Sequence, residues 1–290
     1  MKGEAKLWQL LQDNLETLRA SNRLAEALRV GQRGVELARR IFSADDPSLA
    51  LSYERLGLIY DAQEKDTEAS SLLRKALQIF EKAQPLEQKA IYRLARRLAY
   101  LCDVGGNPED AISFYERALR AADLSGDVPH SEQGTLLNNI GLIHRRAGRP
   151  EAAEPCYRQA LELYEKQVGP EHPDVAAVLN NLGVFYTGAG RFGEAEQAHQ
   201  RALAIRSASN PKSHADVAQS NCNLAVVYHA QGDVARAGDL YRASLEEWEQ
   251  VEKPSEDYEI VAANYADPLR SLGKRRQAGA VESRARKRRR

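Results

Sequence analysis

Cysteine is scarce and scattered in this chain. Cys102, Cys156 and Cys222 lie far apart, with no C-x-x-C pair and no Cys/His cluster among them. That pattern excludes a disulfide framework and a zinc site, and leaves the thiols as small apolar side chains in a reducing compartment. Long apolar runs are also missing: none approaches the ~18 residues that a membrane span needs. Lys2, Glu4, Lys6, Asp13 and Glu16 interrupt any signal-peptide core, so a cytoplasmic protein is expected. There is no P-loop and no dinucleotide fingerprint. His144, His199 and His229 are scattered, without a Ser, Cys or carboxylate set at catalytic spacing. Neither enzyme activity nor a cofactor is expected.

Net charge is absent overall but not locally. Residues 274–290 hold nine Lys/Arg against one acid, Glu282, while the other 273 residues carry 32 basic and 40 acidic side chains. The result is an acidic body with a basic end. With 28% charged residues and a mean hydropathy of −0.55, the composition is that of a soluble protein.

What the chain has in quantity is period. Ala27, Ala69, Ala111, Ala153, Ala195 and Ala237 stand 42 residues apart, and Ala278 follows after 41. A second column, Leu56, Leu98, Ile140, Leu182 and Leu224, keeps the same step, each followed by Gly or Ala. Self-similarity at this period denotes stacked helical repeats, in which function lies on a shared surface.

One unit, from His172 to Arg206, shows the plan. His172-Pro173 reads as an N-cap followed by proline at the first helical position. Leu179, Leu182, Gly183 and Tyr186 form one apolar helical stripe. Gly190 ends that helix, and a second follows with Ala195, Ala202, Leu203 and Ile205 turned inward. Asn22, Gly106, Gly148, Gly190, Gly232 and Gly273 stand at the turns between paired helices, and only Glu64 departs from that chemistry. Pro47, Pro85, Pro129, Pro170, Pro173, Pro211 and Pro254 precede or open the next helix. No segment has the period-two alternation of a strand.

The Leu-Gly/Ala-x-x-Tyr run of the first helix, with Ala…Tyr/His…Ala in the second, resembles the tetratricopeptide repeat. The 42-residue period and the segment GPEHPDVAAVLNNLGVFYTGAGRFGEAEQAHQRALAIR are similar to the kinesin-light-chain-type subfamily. The terminal NYADPLRSLGKRRQAGAVESRARKRR resembles the degenerate last unit of its bacterial members. The resemblance implies an all-α, right-handed superhelical solenoid of about seven antiparallel helix pairs spanning 1–290. The repeats fall at about 5–43, 47–84, 88–125, 130–168, 172–209, 214–252 and 256–290, with 274–290 as a basic C-terminal cap or tail.

The resemblance also implies that first helices line a concave groove. In the unit just read, Ala177, Asn181, Val184 and Gly188 lie opposite the packing stripe. Aligned units then give a column of Arg55, Arg97, Asn139, Asn181, Asn223 and Asn264. Beside it runs an apolar column of Leu58, Tyr100, Leu142, Val184 and Val226, and a third holds Asp61, Asp103, Arg145, Thr187, His229 and Arg270. Asparagine offers a donor and an acceptor, so the ladder suits the main chain of an extended peptide. The same amides could instead tie neighbouring helices together. Arg93, Arg96, Arg97, Arg146 and Arg55 could draw an acidic or C-terminal carboxylate, or simply form a solvated face. The carboxylate clamp of chaperone-binding relatives is not matched in order, because Gln219 and Asn223 stand where its last basic pair would be.

His130, His172 and His214 recur 42 apart in the loops that open units. Two intervening helices would hold them ~16–20 Å apart, too far for one metal, so they read as caps, as Asp46 does in the first loop. The tail reads as a polar cap or, at Arg286 to Arg290, as an electrostatic handle for nucleic acid or an acidic surface, though no aromatic residues are interleaved to stack bases. The expected function is a non-catalytic scaffold or adaptor that binds a protein or extended peptide, including acidic ones. The alternative is a regulatory sensor that binds a signalling peptide and controls a separate effector. Nucleic acid and membranes are not expected partners, and self-association is left open.

Overall fold

A computed structural model describes residues 2–209, 214–252 and 255–289. Pro211, Pro254 and the terminal Arg290 lie outside the described residues. Among those described there are fourteen helices and no strand. None of the helices is long and apolar enough to cross a membrane.

The helices fall into two compact units. Unit Met1–Pro129 holds three pairs: α1 (Lys2–Ala20) with α2 (Leu24–Ile41), α3 (Pro47–Ala62) with α4 (Asp66–Phe80), and α5 (Gln88–Val104) with α6 (Pro108–Ser125). Unit His130–Arg290 holds four pairs. They are α7 (His130–Arg146) with α8 (Pro150–Val168), α9 (Pro173–Gly188) with α10 (Phe192–Ser209), α11 (His214–Ala230) with α12 (Val234–Gln250), and α13 (Glu256–Ser271) with α14 (Arg275–Arg289). Within each unit every helix packs on its chain neighbours. This is the all-α repeat array that the 42-residue period implies.

Local chemistry sets the helix starts. Asp46 accepts a bond from the Ser48 amide at 2.7 Å with Pro47 at the first position, and His172 does the same for Asp174 at 3.2 Å with Pro173. Each satisfies one orphan donor of its helix. His214 differs: its Nδ1 lies 2.7 Å from a Glu247 carboxylate oxygen on α12, so it ties two helices. Among the described residues no group of His, Cys, Asp or Glu could hold a metal ion.

The turn between paired helices has one shape throughout. Gly106, Gly148, Gly190, Gly232 and Gly273 have φ between 67° and 82°, and Asn22 has 56°. Glu64 takes the same left-handed conformation at φ 58°. The second repeat therefore departs in residue type but not in backbone path.

Packing follows the alanine column, whose seven members Ala27, Ala69, Ala111, Ala153, Ala195, Ala237 and Ala278 are all fully buried. Beside it runs a small-against-large pairing. A Cβ on Gly57 would lie 2.9 Å from Leu73, one on Gly141 2.8 Å from Tyr157, and one on Gly183 2.5 Å from His199. The first repeat reverses the sizes: Gly31 is on α2 and the large partner, Leu15, is on α1, 2.8 Å from where a Cβ would be. Interior packing at near-crystal density makes this size matching a condition of the fold.

Candidate functional site

In unit His130–Arg290, Asn139, Asn181, Asn223 and Asn264 are all half-buried on first helices. Asn181 Nδ2 donates to Asn138 Oδ1 at 2.9 Å, and Asn223 Nδ2 donates to Asn180 Oδ1 at 2.6 Å. Asn264 Nδ2 reaches the Cys222 sulfur at 3.9 Å in the same register. Each amide thus reaches back one repeat, to the residue just before the preceding member of its column. Gln219 Nε2 completes the row by donating to Asn223 Oδ1 at 3.0 Å.

The ties do not saturate the amides. A primary amide has two N–H groups and a carbonyl with two lone pairs. One N–H of Asn181 and one of Asn223 are spent on the preceding repeat, and Asn181 Oδ1 accepts no bond among the described residues. What the ties supply is a fixed amide orientation.

The apolar column lies alongside. Leu142, Val184 and Val226 are half-buried. Leu142 packs on the cluster around Tyr157 and Phe185, and Val226 packs on the cluster around Tyr228 and Tyr241. At Val184 the surface opens into a recess of about 300 Å³, floored by Phe185, with Pro150 at its edge and Arg145 on its rim. Gly188 leaves the recess open, since a Cβ there would meet nothing within 4 Å. Arg146 ends α7 and is exposed.

In unit Met1–Pro129 the arginines are already paired. Arg93 makes a two-pronged bond to the buried Glu54 carboxylate, 2.9 Å on each arm. Arg97 pairs with Asp61 and lies 4.7 Å over the Tyr100 ring. Arg55 stands 3.4 Å from Glu16. Leu58 is half-buried and Tyr100 is exposed. Sequence reasoning named these arginines but did not pair them with their carboxylates, all of which sit on the first helix of the preceding repeat.

A further network went unseen in the sequence. Glu154 accepts from Tyr186 Oη at 3.0 Å and from Arg191 Nη1 at 2.6 Å, while Arg191 also holds Glu194. The Arg191 guanidinium, with help from Arg158 and Tyr186, holds the Glu154 carboxyl down at about 2 despite partial burial. Burial, together with the bond to Glu154, pushes the Tyr186 phenol up to about 12. The network ties α8, α9 and α10.

At the C-terminal end, Arg284 pairs with Glu249 at 2.7 Å, and Arg288 donates to the carbonyls of Glu249 and Val251. Part of the basic tail therefore serves the end of α12. Positive charge at a helix C-terminus complements its dipole.

The Tetratricopeptide repeat family matches residues 16–82 and 132–208, and a second Tetratricopeptide repeat profile matches 217–255. The chain belongs to the tetratricopeptide repeat family. It is similar to the crystal structure of BtubC (BKLC) from P. vanneervenii, at 29% identity and TM-score 0.61, over 77% of this chain and 90% of that one. It is also similar to a Podosopora anserina putative kinesin light chain with nearly identical TPR-like repeats, at 18% identity and TM-score 0.57, over 71% and 98%. The apo form of the quorum sensor NprR from B. thuringiensis shares the fold at 13% identity and TM-score 0.64, over 96% and 74%. No curated protein matches the chain.

Proposed function

We propose that this protein is a peptide- or protein-binding scaffold, and that the first-helix surface of unit His130–Arg290 is its working face. The observation that carries the reading is the tethered asparagine row. Asn181 and Asn223 are held in orientation by Asn138 and Asn180, yet each keeps hydrogen-bonding capacity beside a half-exposed valine. A pre-oriented amide loses less freedom on binding, which favours affinity for an extended main chain. The recess at Val184 would take one side chain of the bound segment. Arg145 on its rim favours a segment with an acidic residue. Cys102, Cys156 and Cys222 form no disulfide among the described residues, which fits a cytoplasmic setting.

The test uses peptides selected from a displayed library on the intact protein. Their affinities are then measured by fluorescence anisotropy for the wild type and for the Asn181→Ala/Asn223→Ala double variant. Each main-chain hydrogen bond contributes ~0.5–1.5 kcal/mol, so the pair should weaken binding about five- to a hundredfold. The Asn138→Ala/Asn180→Ala variant removes the tethers but leaves the ladder, and should weaken binding less. Selected peptides that bind the ladder double variant as tightly as the wild type would sink the proposal.

A further inference from the structure

An open cavity of about 660 Å³ lies in unit Met1–Pro129, walled by the second helices α2 and α4 with α3 as its floor. Leu56 and Tyr60 line the floor, and Gln32, Glu36 and Glu68 stand at the mouth. Neither Glu36 nor Glu68 has a hydrogen bond or an ion pair among the described residues. Gln32 Nε2 donates to Tyr60 Oη at 3.3 Å.

Later repeats show what fills the equivalent space. Arg74 stands 42 residues after Gln32, and Asp110 stands 42 after Glu68. Arg74 Nη2 pairs with Asp110 at 2.7 Å, lies over the Phe114 ring at 4.7 Å, and reaches the sulfur of Cys102, the counterpart of Tyr60, at 3.4 Å. Between α8 and α10 the same columns bring Arg158 to within 3.9 Å of Glu194, and Arg191 covers the Tyr186 ring at 4.5 Å. Between α10 and α12, Gln200 and Tyr228 repeat Gln32 and Tyr60 with the same 3.3 Å bond. There Arg236, in the column of Glu68, lies 4.4 Å over Tyr228.

A guanidinium on an aromatic or sulfur floor thus occupies all three of these later gaps. The first gap has the floor and the acid but a lysine in place of the guanidinium: Lys65, in the column of Arg191, holds its Nζ 5.8 Å over the Tyr60 ring. That ammonium makes no ion pair with Glu68, and Arg39, which also lines the cavity, donates to Tyr53 Oη at 3.0 Å. A planar cation entering here would meet the Glu68 carboxylate in a two-pronged bond and take the Tyr60 ring face from the more distant Lys65 ammonium, with its methylenes against Leu56.

We propose that this cavity is a binding site for an arginine side chain carried by an exposed basic segment of another protein. It lies among second helices, so it stands or falls separately from the asparagine surface.

The probe is a blocked Gly-Arg-Gly-Arg-Gly peptide, titrated into the full-length protein and followed by NMR at the Thr67 and Glu68 amides. Its citrulline counterpart is the control, being equal in shape but uncharged. The arginine peptide should bind in the millimolar range and the citrulline peptide at least ~10-fold more weakly. Glu68→Gln should weaken arginine binding about fivefold while leaving the melting temperature unchanged. Gln32→Arg should fill the site from within as Arg74 does, abolishing peptide binding and raising the melting temperature. Equal binding of the two peptides, or full binding to Gln32→Arg, would overturn the site. Concentration-dependent self-association that disappears in Gln32→Arg would overturn the choice of occupant and assign it to a second copy of this chain.

Discussion

The imidazole of His199 occupies the space that a side chain on Gly183 would need. A Cβ on that glycine would stand 2.5 Å from the ring, which is itself almost wholly buried. The neighbouring small-against-large pairs place a tyrosine or leucine where His199 stands, so a ring of that size is part of the design of the contact.

Gly183→Ala should therefore destabilise the protein by ~1–3 kcal/mol through overpacking. Gly193→Ala serves as the contrast, because a Cβ there would meet nothing within 4 Å. It should be neutral or stabilise by up to ~1 kcal/mol through helix propensity. Urea denaturation of both variants checks the pair, and equal effects would mean that the contact at Gly183 is soft.

His199 also makes stability depend on pH. Burial pulls its imidazole down to about 4; the nearby Arg206 charge adds to the shift, and the Gly183 backbone opposes it. The unfolded chain takes up the proton near pH 6.5, but the folded chain does so only near 4. Between those values the unfolded state binds more protons, so stability is complete above about 6.5 and falls as the pH drops toward 4. Denaturation at pH 5 should show ~2 kcal/mol less stability than at pH 7. His199→Tyr, following Tyr157 and Tyr241 in the same column, should remove most of that difference. The depressed Glu154 carboxyl acts in a lower window, losing its contribution only below about 4.5.

Glu64 offers a gain instead of a loss. Its φ of 58° is unfavourable for any side chain with a Cβ, and the corresponding turns carry glycine or asparagine. Glu64→Gly should raise stability by up to ~1 kcal/mol, read as a higher melting temperature. A lower one would mean that the Glu64 side chain makes a compensating contact.

The sequence carried the fold openly because the alanine column, the small partner and the turn residue each recur at one spacing. Repetition turns weak local signals into a register. The asparagine column was visible for the same reason, but its tethers were not. They come from Asn138 and Asn180, one residue upstream, and the repeated Asn-Asn doublets at 138–139 and 180–181 were the available signal. The pairing of Arg93 with Glu54 and of Arg97 with Asp61 was hidden for a different reason. Those partners lie 39 and 36 residues away and belong to the fit between successive repeats, which no single unit displays.

The reversed pair in the first repeat has a consequence for how such a chain can be recombined. Leu15 and Gly31 complement each other as Gly57 and Leu73 do, with the roles exchanged between first and second helix. A chimaera joined between α1 and α2 would set leucine against leucine, or glycine against glycine, where each parent has one of each. A join placed after α2 keeps every pair whole. The unit of inheritance is therefore the helix pair, and the seams along which this chain can be cut, duplicated or lengthened run between pairs.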